Sequence, residues 1–263
     1  MNAFILTDLE GVAGVVSFEE QAYATGRYYE GAKALATREV NAAVEALVGE
    51  GIDDILVWDG HGPGGIVFEL LHPAAQLLHG RPLAPRPVRD EVVREYEIAL
   101  LIGQHAMAGT PDGNLSHTQN SRAVESYTLN GRTIGELAQF ALYVGAFDIP
   151  FLFLSGDDVA CREAEAFVPG ITTTGVKKSL SLHSAISVSA PEAHRRIEEG
   201  VKDALARHKN SPMAPVRWPG PYVLEKRFFQ TSDADAATGP RVERVDARTV
   251  RLRSEDILNV IYA

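Results

Sequence analysis

Phe4-Ile5-Leu6-Thr7-Asp8-Leu9-Glu10-Gly11 is an apolar strand that ends in two carboxylates. Side chains alternate along a strand, so Asp8 and Glu10 face the same way. Two like charges on one face repel unless something cationic sits between them. The pattern recurs twice. Ile55-Leu56-Val57-Trp58 runs into Asp59-Gly60-His61, and Ile98-Ala99-Leu100-Leu101-Ile102 runs into Gly103-Gln104-His105. Three apolar strands that each deliver metal-type ligands at their C-terminal ends point to a divalent metal site. In open α/β sheets that edge is where ligands bind. Taken singly, each residue has a plainer reading. An Asp after a strand commonly caps a helix or closes a turn, and a lone His there commonly makes a structural hydrogen bond. The threefold repetition is what favours the metal.

Working outward, strand-like and helix-like runs alternate to about residue 208. Ala32 to Leu47 reads as an amphipathic helix closed by Gly49 and Gly51. Residues 60–97 read as proline-rich loop with short elements, including a short strand at Gln76–Leu78. Ala123–Leu129 and the turn Asn130-Gly131 predict a hairpin. Helices are expected over Ile134 to Gly145, Asp158 to Phe167 and from the Ser189 cap to about His208, with strands at Phe151–Leu154 and Thr172–Val176. This order predicts an α/β fold with a mostly parallel sheet and helices on both faces. After Pro212 the texture changes to prolines and short alternating runs. Residues 1–211 are therefore expected to form the catalytic α/β domain, and 212–263 a small β-rich α+β module packed on it.

The 263 residues carry a formal net charge of −10. That argues against a nucleic acid partner, which needs a basic face, and against an anionic membrane surface. No apolar stretch reaches the roughly 18 residues of a membrane span, and the N-terminus shows no leader pattern. A cytoplasmic location is the expectation. The one cysteine, Cys161, lies in a helical run and reads as a small buried residue. No thiolate cluster is possible, so any metal must be held by His and carboxylate.

Gly60-His61-Gly62-Pro63-Gly64-Gly65 formally matches a dinucleotide loop, but no long helix follows and residues 78–84 contain no acid. The glycines read better as a tight loop that frees His61 to reach a metal. There is no GxSxG elbow. His117 sits beyond a turn, Pro111-Asp112-Gly113-Asn114-Leu115-Ser116, and reads either as a surface histidine or as a ligand, acid/base or electrophile near the metal. Glu136 reads either as the capping-box partner of Thr133 or as a further carboxylate ligand.

Together, Thr7-Asp8-Leu9-Glu10-Gly11-Val12-Ala13-Gly14, Asp59-Gly60-His61, Gly103-Gln104-His105-Ala106, Ser116-His117, Asn130-Gly131-Arg132-Thr133-Ile134-Gly135-Glu136 and Ser155-Gly156-Asp157-Asp158 resemble the zinc-dependent D-aminopeptidases (the DppA type, peptidase family M55). The resemblance spans almost the whole chain and is weakest over the last fifty residues. It implies two zinc ions per chain, held by Asp8, Glu10, His61, His105 and Glu136, with His117 as the catalytic histidine. It also implies short peptide substrates with N-terminal D-amino acids, and a ring-stacked homodecamer. Five ligands for two metals require one bridging carboxylate, and Asp8, short and at the strand end, is the choice. His117 is a nucleophile in the family proposal; acid/base or electrophilic assistance to a metal-activated water is equally open. Two other classes remain: a different binuclear metallohydrolase (amidase or phosphoesterase), and a non-catalytic peptide-binding protein with a structural metal.

Overall fold

The computed structural model describes residues 1–262. In chain order the elements are β1 (Asn2–Thr7), α1 (Tyr29–Gly49), β2 (Asp54–Asp59), β3 (Ala75–Leu78), α2 (Arg86–Val93) and β4 (Ile98–Gln104). Then follow β5 (Val124–Leu129), β6 (Arg132–Ile134), α3 (Glu136–Gly145), β7 (Phe151–Asp157), α4 (Asp158–Phe167), β8 (Thr172–Ser181), β9 (Ser184–Ser187) and α5 (Ala190–Asn210). The C-terminal part supplies β10 (Tyr222–Phe228), α6 (Thr231–Ala236), β11 (Val242–Arg244) and β12 (Thr249–Ser254).

Seven strands form a sheet in the order β3-β2-β1-β4-β7-β8-β9. All pairings are parallel except β8 with β9. This is the α/β fold that the alternation predicts. The strands are apolar on both faces because both faces are covered. Ala3 and Ile5 of β1, with Ile55 and Val57 of β2, pack under Val40, Val44 and Leu47 of α1 and Ile197 and Val201 of α5. Phe4, Leu56 and Trp58 point the other way, into a core with Phe140 and Tyr143 of α3 and with Tyr127, Leu224 and Leu252 of the second sheet. Burying each such large side chain contributes about 1.5–3 kcal/mol.

The second sheet is antiparallel, in the order β11-β12-β10-β5-β6. It joins the strands beyond residue 212 to the hairpin that follows the Gly103–Asn120 loop, through the β10–β5 pairing. The sheet boundary thus falls elsewhere than the expected division at 211/212. Two further elements depart from the sequence reading. Helix α2 lies in a stretch read as loop: half of its residues are charged, it contains Pro87, and it buries only Val93. The expected strand at 172–176 continues to Ser181 and turns back as β9.

The strand order reverses between β1 and β4, because β2 and β3 lie on one side of β1 and β4, β7 and β8 on the other. Past the end of β1 the chain stays in contact with the C-terminal end of β4, with Asp8 N donating to Ile102 O at 2.8 Å and Gly11 N to Gly103 O at 2.8 Å. Gly103 has φ +80°, and a Cβ there would lie 2.2 Å from Asp8 O and 2.8 Å from Val12 Cγ2. A side chain is excluded by both backbone strain and space. Gly103→Ala should therefore cost about 2 kcal/mol or more of stability. Urea unfolding of the purified variant checks this, and an unchanged midpoint would show that the crossing is not tight.

Candidate metal centre

Each ligand-type side chain is placed by its local backbone. Asp8 is the first residue after β1, and its Oδ1 accepts from Leu9 N at 2.8 Å. Asp59 ends β2 and takes the plainer role: its carboxylate accepts from Gly65 N at 2.7 Å and Ile66 N at 3.3 Å. That turn, with Gly64 at φ +109°, folds the 60–65 loop back so that His61 points inward. No long helix follows; the next helical element is one short turn, Phe68–Leu70. Glu136 is the first residue of α3, whose N-cap is Gly135 with no side-chain cap. The capping-box reading of Thr133 and Glu136 is therefore corrected. Thr133 lies in β6, so the helix starts too late for Glu136 to be three residues past a threonine cap. Gly135 is required there because a Cβ would fall 2.5 Å from Met107 Cβ and 2.7 Å from Glu163 Oε1.

Asp8, Glu10, His61, His105, His117 and Glu136 come together. Asp8 Oδ1 is 3.4 Å from His61 Nδ1, and Asp8 Oδ2 is 3.0 Å from His105 Nε2. Glu10 Oε2 is 3.1 Å from His61 Nδ1. Glu136 Oε1 is 3.4 Å from His105 Nε2 and 3.8 Å from His117 Nε2. Three sets offer ligand atoms within 4.8 Å of one another: Asp8, Glu10 and His61; Asp8, His105 and Glu136; and Glu10, His105 and His117. Asp8 belongs to the first two, one oxygen toward each histidine.

The outer nitrogens of the three rings fix which inner nitrogen is free. His61 Nε2 donates to Ala22 O at 2.7 Å, His105 Nδ1 to Ala106 O at 2.8 Å, and His117 Nδ1 to Leu115 O at 2.9 Å. Carbonyls only accept, so in each neutral ring the other nitrogen presents a lone pair. Those lone pairs face carboxylate oxygens. Glu10 Oε2 and His105 Nε2 are buried and lack any hydrogen-bond partner. Acceptor against acceptor, buried, calls for a cation, and a backbone carbonyl behind each imidazole is the usual support for a metal-bound histidine. Without metal, protons take that place. Burial opposes charging His61 and His105, but Glu10 and Asp8 at the first, and Asp8 and Glu136 at the second, raise both well above the ordinary histidine range. Burial likewise opposes ionising Asp8 and Glu136, yet the neighbouring His105 holds both below the ordinary carboxylate range. The donor set, two imidazoles and three carboxylates with no thiolate, suits zinc or another borderline divalent ion.

His117 stacks on His105 with ring centres 3.9 Å apart and meets Phe18 edge-on at 5.3 Å. It faces a polar cavity of about 350 Å3 that also carries Tyr23, Ser121 and Arg122. Its loop is held from outside. Asn114, fully buried, donates through Nδ2 to Leu182 O at 3.0 Å, and Leu115 N donates to Leu182 O at 2.8 Å. The β8–β9 hairpin is thus the strut behind His117.

Sequence reading missed several supports. Lys177 is 2% exposed and donates to the backbone carbonyls of Glu10, at 2.5 Å, and Val15, at 2.7 Å. Glu39 Oε1 accepts from Ala13 N at 2.9 Å, and burial pushes its carboxyl up to about 7. Glu163 accepts from Met107 N at 2.9 Å, and burial pushes it also up to about 7. Glu39 was discoverable as an acid on the apolar side of α1. Lys177 was not, because a register shift at Gly156/Asp157 pairs Asp157 with Lys177 and breaks the alternation. Asp157 caps α4, accepting from Val159 N at 2.8 Å. Cys161 is buried, and burial pushes its thiol up to about 12, as suits an inert core residue.

The D-aminopeptidase of Bacillus subtilis (strain 168) is 31% identical over 267 residues, covering 100% of this chain and 95% of that protein. The solved structure of the Zn-dependent D-aminopeptidase DppA from Bacillus subtilis, described as a self-compartmentalizing protease, superposes with a TM-score of 0.89 at 29% identity, covering 100% of this chain and 94% of that one. The family model Peptidase M55, described as D-aminopeptidase, matches residues 1–263, and the chain belongs to that family.

Proposed function

We propose that this protein is a binuclear zinc aminopeptidase that removes N-terminal D-amino acids from short peptides or amino-acid amides. One observation carries the reading: the two oxygens of buried Asp8 face the lone-pair nitrogens of two different histidines, each held from behind by a backbone carbonyl. Asp8 would bridge two zinc ions, Glu10 and His61 completing one set, His105 and Glu136 the other. When bound, such a pair supplies Lewis acidity toward the scissile carbonyl and activates a water. The chain's own residues do the rest. Glu10 and Asp8 offer charge to a free α-amino group. His117, with Nδ1 on Leu115 O and Nε2 toward the cavity, can hold or move a proton at Nε2.

Family membership, with the zinc dependence and D-aminopeptidase activity of the Bacillus subtilis relatives, supports peptide hydrolysis over phosphate-ester chemistry. The relative's self-compartmentalizing assembly supports a closed homo-oligomer here, with the ring-stacked decamer as the expected form. All six proposed ligand and catalytic residues precede residue 212, which supports 1–211 as the catalytic unit. No helix among the described residues is long and apolar enough to cross a membrane; with the net charge of −10, this supports action on peptides in the cytoplasm.

Three measurements test this. Elemental analysis of tag-free protein should give close to two zinc equivalents, and chelator dialysis should abolish turnover of D-Ala dipeptides and amides, with zinc restoring it. Metal near zero with activity retained in chelator overturns the reading.

Glu136→Gln should lose most activity and one metal equivalent while staying folded, since glutamine can still accept from Gln119 N, now bonded to Glu136 Oε1 at 2.7 Å. Full activity would remove Glu136 from the site.

His105→Ala should lose bound metal. His117→Ala should keep both metals and the fold but lose turnover by roughly 10²–10⁴, the range of a general acid/base group. Because Glu10, His105 and His117 also form a ligand-like set, the metal count decides: a loss of one equivalent in His117→Ala makes His117 a ligand instead.

A further inference from the structure

Two cavities open from the acid cluster, and the chemistry above uses only one. The second, of about 230 Å3, shares Asp8, Gly60, Gln119 and Glu136 with the polar cavity but leads in another direction. Its walls are Leu6, Trp58, Leu83, Leu101 and Tyr262. Two of the polar side chains that reach it are already engaged with the protein. Gln104 Nε2 donates to His105 O at 2.8 Å, and Gln119 Nε2 to Gln139 Oε1 at 3.0 Å. Arg89 donates through Nε to Ala84 O at 2.9 Å and lies over the Trp58 ring, 4.8 Å from its centre. Whatever enters from the metal side meets the leucines and the ring faces of Trp58 and Tyr262, with the Arg89 guanidinium as the charged group of the lining.

The amino group, the carbonyl to be attacked and the side chain of an N-terminal residue radiate from one Cα. The first two must lie at the ligand carboxylates. The rest of the peptide continues into the polar cavity, where Arg122, stacked on Tyr23 at 3.9 Å, offers a cation to a C-terminal carboxylate. That leaves the apolar cavity for the side chain. We propose that it is the side-chain pocket for the substrate's N-terminal residue, and that it selects branched aliphatic or aromatic side chains over a methyl group. The inference rests on the aminopeptidase reading and deepens it. A water occupies about 30 Å3 of liquid, so the cavity is several waters in size and a methyl group leaves most of it unfilled. Each methylene placed in an apolar pocket is worth roughly 10–200-fold in discrimination.

The test is kcat/KM of the zinc-loaded full-length protein for alanine, leucine, phenylalanine and aspartate amides in both configurations. Leucine or phenylalanine amide should exceed alanine amide of the same configuration by roughly tenfold or more. Leu83→Trp, on the loop before α2, fills the cavity and should collapse that ratio by a similar factor. If Leu83→Trp does not fold, calorimetric binding of free leucine and alanine to the zinc-loaded wild type supplies the same comparison, leucine binding tighter. Alanine preferred or equal, or a ratio unmoved in folded Leu83→Trp, overturns the pocket. A preference for aspartate amide overturns it in favour of Arg89 as the selecting group. Hydrolysis of no amide of either configuration overturns the aminopeptidase reading itself, a result distinguishable because no ratio then exists.

Discussion

The site depends on one electrostatic constraint. Asp8 and Glu10 are buried side by side, with the lone-pair nitrogens of His61 and His105 directed at their oxygens. Buried like charges are costly unless compensated. Protons or a cation must share the space, and the backbone carbonyls behind the two imidazoles hold each ring with its other nitrogen toward the carboxylates. Glu10 Oε2 and His105 Nε2, both without hydrogen-bond partners, mark where that network is incomplete.

The scaffold makes this arrangement by reversing its strand order between β1 and β4. At such a point the chains leaving two neighbouring strands diverge, and a crevice opens beyond their carboxyl ends. Here the crevice is narrowed by glycine contacts. A Cβ at Gly11 would lie 2.0 Å from Gln104 O, and one at Gly156 would lie 1.9 Å from the same atom. The backbones of three strand ends therefore touch where the ligands start, which fixes Asp8, Glu10 and His105 relative to one another. Lys177 fastens the same turn from below by binding the carbonyls of Glu10 and Val15.

What the sequence made legible follows from which signals are local. An apolar strand followed by an acid or a histidine is a local pattern, and Asp8, Glu10, His61 and His105 were visible in it. Asp59 shares the pattern yet serves the turn, because its oxygens are taken by Gly65 N and Ile66 N. Glu136 was ambiguous for a different reason: helix entry is set by the tight packing of Gly135 against Met107 and Glu163, contacts distant in sequence. Lys177 was invisible because a bulge puts both Val176 and Lys177 inside, where strict alternation allows one. The second sheet was only half legible. Its strands were expected, but the β10–β5 pairing bridges about a hundred residues and has no local signature.

That long-range pairing matters for the metal centre. Asp8, Glu10, His61 and His105 stand at the edge of the parallel sheet, whereas Glu136 opens the helix that follows β6 of the antiparallel one. The set Asp8, His105 and Glu136 therefore closes across both sheets. Ligands held by separate substructures converge only when both are folded and docked, so the free energy of binding a cation there would also be free energy of assembling the two sheets. The same geometry places the apolar cavity between them, with Trp58 and Leu101 from one sheet and Tyr262 from beyond the last strand of the other. The cavity and the candidate ligand cluster are thus consequences of a single docking event, and a change that loosens the second sheet acts on both.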